Sequence, residues 1–177
     1  MSDEASFFPH MPGEVFDTWL RPIIAEHGWP FAAVTDAFPN RFWSDLFLGY
    51  PLSVWAYFRW SRHDSEVAGI PFPEQTTEIL RTLLAFFRGD DSYGLFYASR
   101  DRTRIASALE YIREHRRLPG VLVGVFTPAG FQLADGLHRV TAFLTLPDGS
   151  GITASYWLAY TPPEESSQNA QARSGNV

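Results

Sequence analysis

The sequence of 177 residues contains no cysteine and no lysine. The absence of cysteine excludes disulfides, zinc–thiolate sites, iron–sulfur clusters and a thiol nucleophile. The absence of lysine excludes a P-loop lysine, Schiff-base chemistry and a lysine general base. All 14 cationic side chains are arginines, so a bound phosphate would be held by arginine, histidine and backbone N–H groups.

The chain also has little positive charge and no long apolar run. Its formal net charge is −6, which argues against a large nucleic-acid-binding face but is compatible with a local basic strip. No stretch of eighteen apolar residues occurs, so the sequence predicts no transmembrane helix and no membrane partner. The acidic N-terminus lacks the continuous apolar segment of a signal peptide, and we therefore expect a cytoplasmic protein.

Apolar residues are plentiful, because hydrophobic types make up 45% of the chain and charged types only 19%, a balance typical of a folded domain. Residues 1–92 are aromatic-rich with a mainly helical pattern, and residues 93–160 mix strands with helices. Residues 161–177 form a polar tail that we expect to be disordered. Since no polar linker separates the first two parts, we expect them to form one cooperative unit.

Apolar spacing in residues 1–92 predicts two longer helices. The first spans 14–27 and is kinked or split by Pro22, and the second runs from Pro73 to Arg88. The stretch between them is expected to form short helices and turns, with "RHDSE" as a polar turn. Its rings would suit a ligand pocket, but rings at helical spacing are more often core. We assign the following rings to the core: Trp29, Phe38, Phe42, Trp43, Phe47, Trp55, Tyr57 and Trp60.

The second part shows the pattern of a small sheet with helices. It predicts a strand at 93–98, a helix at 103–117, a hairpin of "VLVGVF" and "FQLA", a helix at 137–146 and a last strand in "GITASYWLAY". The predicted fold class is α/β (or α+β). An aromatic-rich helical half comes first in the chain, and a small mixed sheet with helices follows it.

The segment "LADGLHRV" lies where the second hairpin strand turns into a helix. The first N–H groups of a helix have no intrahelical partner and carry partial positive charge, and Gly136 lets a ligand approach the backbone. His138 and Arg139 add donors in the same turn, so the junction is suited to an anion. Asp135 has two alternative roles, to cap the helix or to hold a divalent metal. The ordinary alternative is a capped turn followed by exposed side chains that bind nothing.

The residues "LADGLHRVTAF" resemble the Asp-Gly-x-x-Arg-x-x-Ala signature of the ParB/sulfiredoxin superfamily, and the order of predicted elements is similar over residues 93–160. The resemblance implies a ParB/sulfiredoxin-like nucleotide-binding fold. It places the phosphates against Gly136, His138 and Arg139, with Asp135 in the metal neighbourhood. A second contributor is implied in "SRDRTR", which holds Arg100, Arg102 and Arg104.

Two departures from the relatives narrow the function. Sulfiredoxins carry a catalytic cysteine directly before His-Arg, where this chain has Leu137, so peroxiredoxin repair is excluded. Chromosome-partitioning ParB proteins read Gly-Glu-Arg-Arg at the signature and continue into a helix-turn-helix module. This chain reads Gly-Leu-His-Arg and continues into a strand and a tail, so the CTP-clamp and DNA-site-binding roles lose support.

The leading hypothesis is an enzyme that binds ATP or a related nucleotide with Mg²⁺ and transfers phosphate to a small hydroxyl-bearing molecule. Arg139 would stabilise phosphoryl charge, and the candidate catalytic residues are Asp135, which would also hold the metal, His138 and Glu110. Glu110 alternatively pairs with a neighbouring arginine on a solvated face. Two other functions stay open: a DNA-associated nuclease or binding accessory that uses the arginines between 100 and 117, and a non-catalytic relative that binds a protein through exposed aromatic residues.

Overall fold

The computed structural model describes residues 3–29, 41–90, 92 and 99–162. Its helices are α1 (Gly13–Val15), α2 (Arg21–His27), α3 (Arg41–Leu46), α4 (Leu52–Tyr57), α5 (Glu74–Phe87), α6 (Ser99–His115) and α7 (Leu137–Leu144). Its strands are β1 (Arg59–Glu66), β2 (Arg117–Thr127), β3 (Gly130–Asp135) and β4 (Thr153–Tyr160). Helices together with one sheet confirm the predicted α+β class.

The four strands lie in the order β1-β4-β2-β3. β2 and β3 form the predicted antiparallel hairpin, with Thr127 opposite Gly130 at the turn and Val123 opposite Asp135 at the other end. The register shifts between Val123 and Gly124, whose partners are Asp135 and Leu133, so Ala134 is the extra residue of a bulge in β3. The pairing therefore holds Asp135, the first residue of the motif, against the middle of β2.

The chain divides into two compact units, one of Met1–Ser61 with Ala159–Val177 and the other of Arg62–Leu158. This boundary differs from the one expected near residue 92, because α5 packs against β3 and α7 and so belongs with the motif. Whether the chain unfolds as one cooperative unit stays a prediction.

The core of the second unit is built from one apolar face each of α5, α6 and α7 together with the hairpin. The predicted apolar stripe of α6 is confirmed, since its buried residues are Ile105, Ala108, Leu109 and Ile112. Val140 and Ala142 of α7 are buried in the same core. Because α6 packs on both α7 and β2, the first turns of these two helices have a fixed relation to the hairpin.

The first unit has an aromatic core. Its buried rings are Phe8, Phe16, Trp19, Trp43, Phe47, Trp55 and Phe58. The assignment of Trp43, Phe47 and Trp55 to the core is confirmed, whereas Phe42 and Tyr57 are exposed. The difference arises because α3 and α4 are only six residues long, so each buries one side and leaves neighbouring rings outside. Phe38 lies outside the described residues.

The predicted helix at 14–27 is split, as Pro22 suggested. α1 is followed by a π-helical segment, Phe16–Leu20, and α2 then carries Pro22 in its first turn. Proline has no N–H to donate to the preceding turn, so a wider turn ahead of it and a new helical start are the local solution.

The prediction that "RHDSE" is a polar turn was wrong, because Arg62 to Glu66 belong to β1. β1 is an outermost strand, and its charged side chains are largely exposed, so it lacks the apolar alternation of a buried strand. The helix expected at 103–117 begins earlier, at Ser99, and ends at His115. Arg116 has a left-handed backbone (φ 53°), which stops the helix. The helix expected at 137–146 ends at Leu144.

Two predicted features fall on residues that the structure leaves undescribed. These are the strand at 93–98 and the polar tail beyond residue 162. Within the described ranges, no helix is both long and apolar enough to cross a membrane.

Candidate functional site

The motif lies at a strand–turn–helix junction, because β3 ends at Asp135 and α7 begins at Leu137, as the sequence predicts. Gly136 is the N-cap of α7, with a left-handed backbone (φ 112°, ψ 8°), and no side chain caps the helix. The carboxylate of Asp135 does not take the capping role, because its Oδ2 accepts a hydrogen bond from Arg139. The N–H groups of the first turn of α7 therefore have neither an intrahelical acceptor nor a side-chain cap.

Gly136 is required at the junction for two reasons. Its φ of 112° disfavours any side chain. A Cβ atom there would also lie 2.3 Å from Cδ2 of Leu122, a core residue of β2. The glycine thus brings the start of α7 against the hairpin more closely than any other residue would allow.

Gly136→Ala is expected to lower the free energy of unfolding by about 2–3 kcal/mol, since it adds a left-handed non-glycine residue and a clash in a packed core. Urea unfolding followed by circular dichroism measures this loss. Gly69→Ala is the matched control, because a Cβ at Gly69 meets nothing within 4 Å. Equal unfolding midpoints for the two variants would contradict the assigned geometry.

His138 and Asp101 form a hydrogen-bonded pair beside the junction. His138 Nε2 lies 2.8 Å from Asp101 Oδ1, and the two side chains are 29% and 14% exposed. Asp101 belongs to the first turn of α6 and His138 to the first turn of α7. The pair therefore shows that the positive ends of two helices lie side by side at this point.

The pair leaves His138 one nitrogen for chemistry. A carboxylate accepts hydrogen bonds, so in the pair with neutral imidazole Nε2 carries the proton and donates it to Asp101. Nδ1 then presents a lone pair, and it has no hydrogen-bond partner within the described part of the chain. An imidazole oriented by a carboxylate is a common arrangement for a general base.

Arg139 contacts the protein itself with much of its guanidinium group. Nη1 donates to the carbonyl oxygens of Pro119 (3.1 Å) and Val121 (3.0 Å), and Nη2 donates to Asp135 Oδ2 (2.5 Å). The side chain is 19% exposed. The three acceptors form a cradle around the guanidinium group. Gly120 lies directly against it, because a Cβ there would lie 3.0 Å from Nη1. The geometry thus directs Nη1 and Nη2 of Arg139 to the β2 backbone and the motif turn, and its contact with a phosphate stays a prediction.

The arginines of "SRDRTR" lie within the first two turns of α6, so they reach the junction as part of a helix and not as a segment ahead of it. Arg102 stacks its guanidinium 4.3 Å from the ring centroid of Phe86 and donates from Nη2 to the Phe86 carbonyl oxygen (3.1 Å). It thereby binds the last turn of α5. Arg100 and Arg104 are exposed and remain the candidates for contact with a ligand.

The predicted metal site and the predicted second carboxylate are not assembled here. No group of three or more His, Asp or Glu side chains suited to a metal ion occurs among the described residues. Glu110 is exposed and lies nine residues along α6 from Asp101, about 14 Å at 1.5 Å per residue. The structure therefore brings Asp135, His138 and Arg139 to the junction but leaves Glu110 away from it.

Lowered carboxylate pKa values occur outside the junction. Hydrogen bonds from the side chain and backbone of Ser92 lower the pKa of Asp90, and the backbone N–H and side chain of Ser150 lower the pKa of Asp148. Both aspartates are exposed and stabilise local turns, so neither marks a catalytic group.

Asp101 is the residue at this junction that the sequence did not single out. Its type carries no special signal, because acidic residues are common in the first turn of helices. Its partner is 37 residues away along the chain. Had the sequence predicted the start of α6 at Ser99, Asp101 would have been placed in the first turn of that helix. Its contact with His138 in the first turn of α7 would still not have been predicted.

No protein-family model, curated protein or solved structure matches this chain. The resemblance to the ParB/sulfiredoxin superfamily therefore depends on the motif from Asp135 to Ala142 and on the order of elements around it.

Proposed function

We propose that this chain is a phosphotransferase that binds ATP or a related nucleotide at the adjoining first turns of α6 and α7 and passes its terminal phosphate to a small hydroxyl-bearing molecule. The observation that carries the proposal is the His138–Asp101 pair at the meeting point of two helix N-termini. Two positive helix ends favour an anion, and the oriented imidazole supplies a base beside it.

The phosphates have a suitable partner in the uncapped start of α7. Its backbone N–H groups are donors that need no lysine, which suits a chain that has none. Arg100 and Arg104 are exposed near the start of α6 and add positive charge on that side. Arg139 stabilises this arrangement, because its hydrogen bonds hold the motif turn against β2.

The chemical step follows from the free nitrogen of His138. Nδ1 takes the proton of the acceptor hydroxyl while that oxygen forms a bond to the terminal phosphorus. The bond from this phosphorus to the bridging oxygen breaks, and the nucleoside diphosphate leaves with the electron pair. Asp101 accepts the Nε2 proton in a hydrogen bond, so it holds the tautomer and stabilises the imidazolium that forms.

A dedicated magnesium site does not fit the residues present. Asp135 uses Oδ2 for Arg139, and no cluster of ligands surrounds it in the described ranges. Mg²⁺ often binds through substrate phosphates, keeps several waters and needs few protein carboxylates. We therefore propose that Mg²⁺ accompanies the nucleotide and is held mainly by its phosphates.

The proposal is tested by replacing each member of the pair. His138→Ala should reduce turnover of ATP to ADP by about 10³-fold while changing the ATP dissociation constant less than about threefold, since a general base acts on the chemical step. Asp101→Asn should also lower turnover, because an amide can donate to Nε2 and stabilise the wrong tautomer. Calorimetric titration of ATP, ADP and CTP with and without Mg²⁺ measures binding, and ADP release with water and small alcohols as acceptors measures turnover.

The control for these variants is Glu110→Gln, which alters an exposed carboxylate on the same helix away from the pair. It should leave binding and turnover unchanged. Wild-type protein that binds none of the nucleotides would overturn the proposal, and so would nucleotide binding with full turnover in His138→Ala.

The DNA-associated alternative has less support in the geometry. Arg104 and Arg113 are nine residues apart on α6, so their side chains leave the helix on sides about 180° apart. Arg102 is occupied at the end of α5. The arginines between 100 and 117 therefore do not form one basic face. Retention on DNA that falls steeply with salt would revive this alternative.

A further inference from the structure

The outer edge of β1 is suited to pairing with another strand. β1 lies at one end of the order β1-β4-β2-β3, so within the described part of the chain no strand lies on its other side. Arg62, His63 and Asp64 are all exposed, although consecutive side chains of a strand point to opposite faces. Both faces are therefore open at this point, and the strand presents the backbone N–H and C=O groups of its outer edge to another chain.

The charges of β1 change sign along the strand. Arg62 comes first and Asp64 and Glu66 come after it, so this stretch is basic at its start and acidic at its end. Charges of one sign along an edge strand oppose pairing with a second copy. Antiparallel pairing of two strands with this pattern instead lays the basic end of one copy against the acidic end of the other. The charge pattern therefore favours an antiparallel partner of the same sequence.

Strand geometry limits the register of such a pair. Residues whose backbone groups point to the outer edge alternate along β1, and they must lie opposite residues that do the same. The two-fold axis of the pair therefore passes through a residue and not between two residues. An axis at Arg62 or at Asp64 places like charges opposite each other. An axis at His63 places Arg62 opposite the partner's Asp64, and it does so twice by symmetry.

Contacts with β4 fix the faces on which these side chains lie. Ser155 Oγ donates to Asp64 Oδ1 at 2.5 Å, and the ring of His63 stacks on Tyr156 with 5.4 Å between ring centroids. Arg62 is two residues from Asp64, so its side chain leaves the strand on the same face. A carboxylate accepts several hydrogen bonds, and the one from Ser155 leaves Asp64 able to bind a guanidinium group.

We infer that the second unit binds another copy of this chain through β1, in an antiparallel strand pair whose two-fold axis lies at His63. Each copy offers Arg62 to the partner's Asp64, so two equivalent ion pairs accompany the main-chain hydrogen bonds. A strand pair of this length buries less surface than a standard protein interface. We therefore expect a weak dimer, with a dissociation constant of about 1–100 µM. The inference does not depend on the proposed function.

The experiment is sedimentation velocity of the full chain at about 1 to 200 µM and low ionic strength, where exposed charges are little screened. Wild type should change from monomer to dimer over this range. Arg62→Asp and Asp64→Arg each place like charges opposite each other, so each should raise the dissociation constant at least about tenfold. The variant that carries both substitutions exchanges the two signs. Its dissociation constant should return to within about threefold of the wild-type value.

The matched control is Arg113→Asp, which makes the same change of charge at an exposed position of α6. It should leave the dissociation constant unchanged. Asp64→Arg and the double variant both lose the hydrogen bond from Ser155, so the difference between them reports the contact between copies. Circular dichroism establishes that each variant is folded before it is compared.

Amide hydrogen exchange of wild type locates the interface without any substitution. Exchange within β1 should slow as the protein concentration rises, because the outer-edge amides become hydrogen-bonded in the dimer. Wild type that stays monomeric at the highest concentration overturns the inference, and so does a dimer in which exchange of β1 does not slow. A dimer that both single variants leave unchanged, or that the double variant does not restore, overturns the assigned register and its ion pairs.

Discussion

Arg139→Ala is expected to lower the free energy of unfolding by about 3 kcal/mol, because it removes the donors of two backbone carbonyls and a carboxylate in a largely buried cradle. The three acceptors belong to Pro119, Val121 and Asp135, so the loss detaches the motif turn from β2. Urea unfolding gives the change in midpoint and slope. Because the variant loosens the start of α7, nucleotide affinity should fall with it, as a consequence of the altered turn.

The control is Arg104→Ala, which removes an exposed arginine near the start of α6. Its stability should change by less than about 0.5 kcal/mol, as for most surface substitutions. Arg139→Lys is the second comparison, and it should recover only part of the loss, since one ammonium group cannot serve three acceptors held by a planar fork. If Arg139→Ala keeps the wild-type midpoint but no longer binds ATP, the arginine is a phosphate ligand and the cradle is not its main role.

The position of Arg139 could be predicted from the sequence, but the direction of its guanidinium group could not. The motif indicates an arginine one turn after a glycine, and an arginine in that position is suited to phosphate. Two of the three acceptors that Arg139 binds are backbone carbonyls of β2, and a backbone carbonyl has no signature in the sequence. The direction of the guanidinium is therefore decided by how the hairpin folds back on α7, which spacing along the chain does not reveal.

The fold was predictable where one face of an element is buried. α5, the hairpin and the apolar stripe of α6 follow from periodicity and from proline and glycine at their ends. β1 was missed because an outermost strand with exposed charged side chains lacks that periodicity. The His138–Asp101 pair was missed for a different reason. The two residues are 37 apart along the chain and meet only because α6 packs against α7. The spacing of residues in the sequence does not reveal this tertiary contact.

The aromatic unit raises the question of whether its rings form a core or a ligand pocket. Trp55 is the most informative ring, because it is fully buried and lies 5.2–5.6 Å, between ring centroids, from Trp19, Phe47 and Phe58. Its Nε1 donates to the Phe47 carbonyl oxygen at 3.0 Å. Trp55→Ala is expected to lower the free energy of unfolding by about 4 kcal/mol, since it leaves a large cavity and an unpaired carbonyl. Denaturant unfolding followed by tryptophan fluorescence measures the loss.

Tyr57→Ala in the same short helix is the matched control, because the Tyr57 ring is exposed and its removal should change stability by less than about 0.5 kcal/mol. Trp55→Phe separates the two parts of the loss, since it keeps most of the ring volume and removes the indole N–H. It should cost about 1–2 kcal/mol. A small loss of stability in Trp55→Ala would mean either that the neighbouring rings move into the cavity or that they are loosely packed before the substitution. A cluster that tolerates the loss of its central ring has room for a ligand, whereas one that loses several kcal/mol is a packed core. In the second case the acceptor of the proposed reaction would have to bind beside α6 and α7.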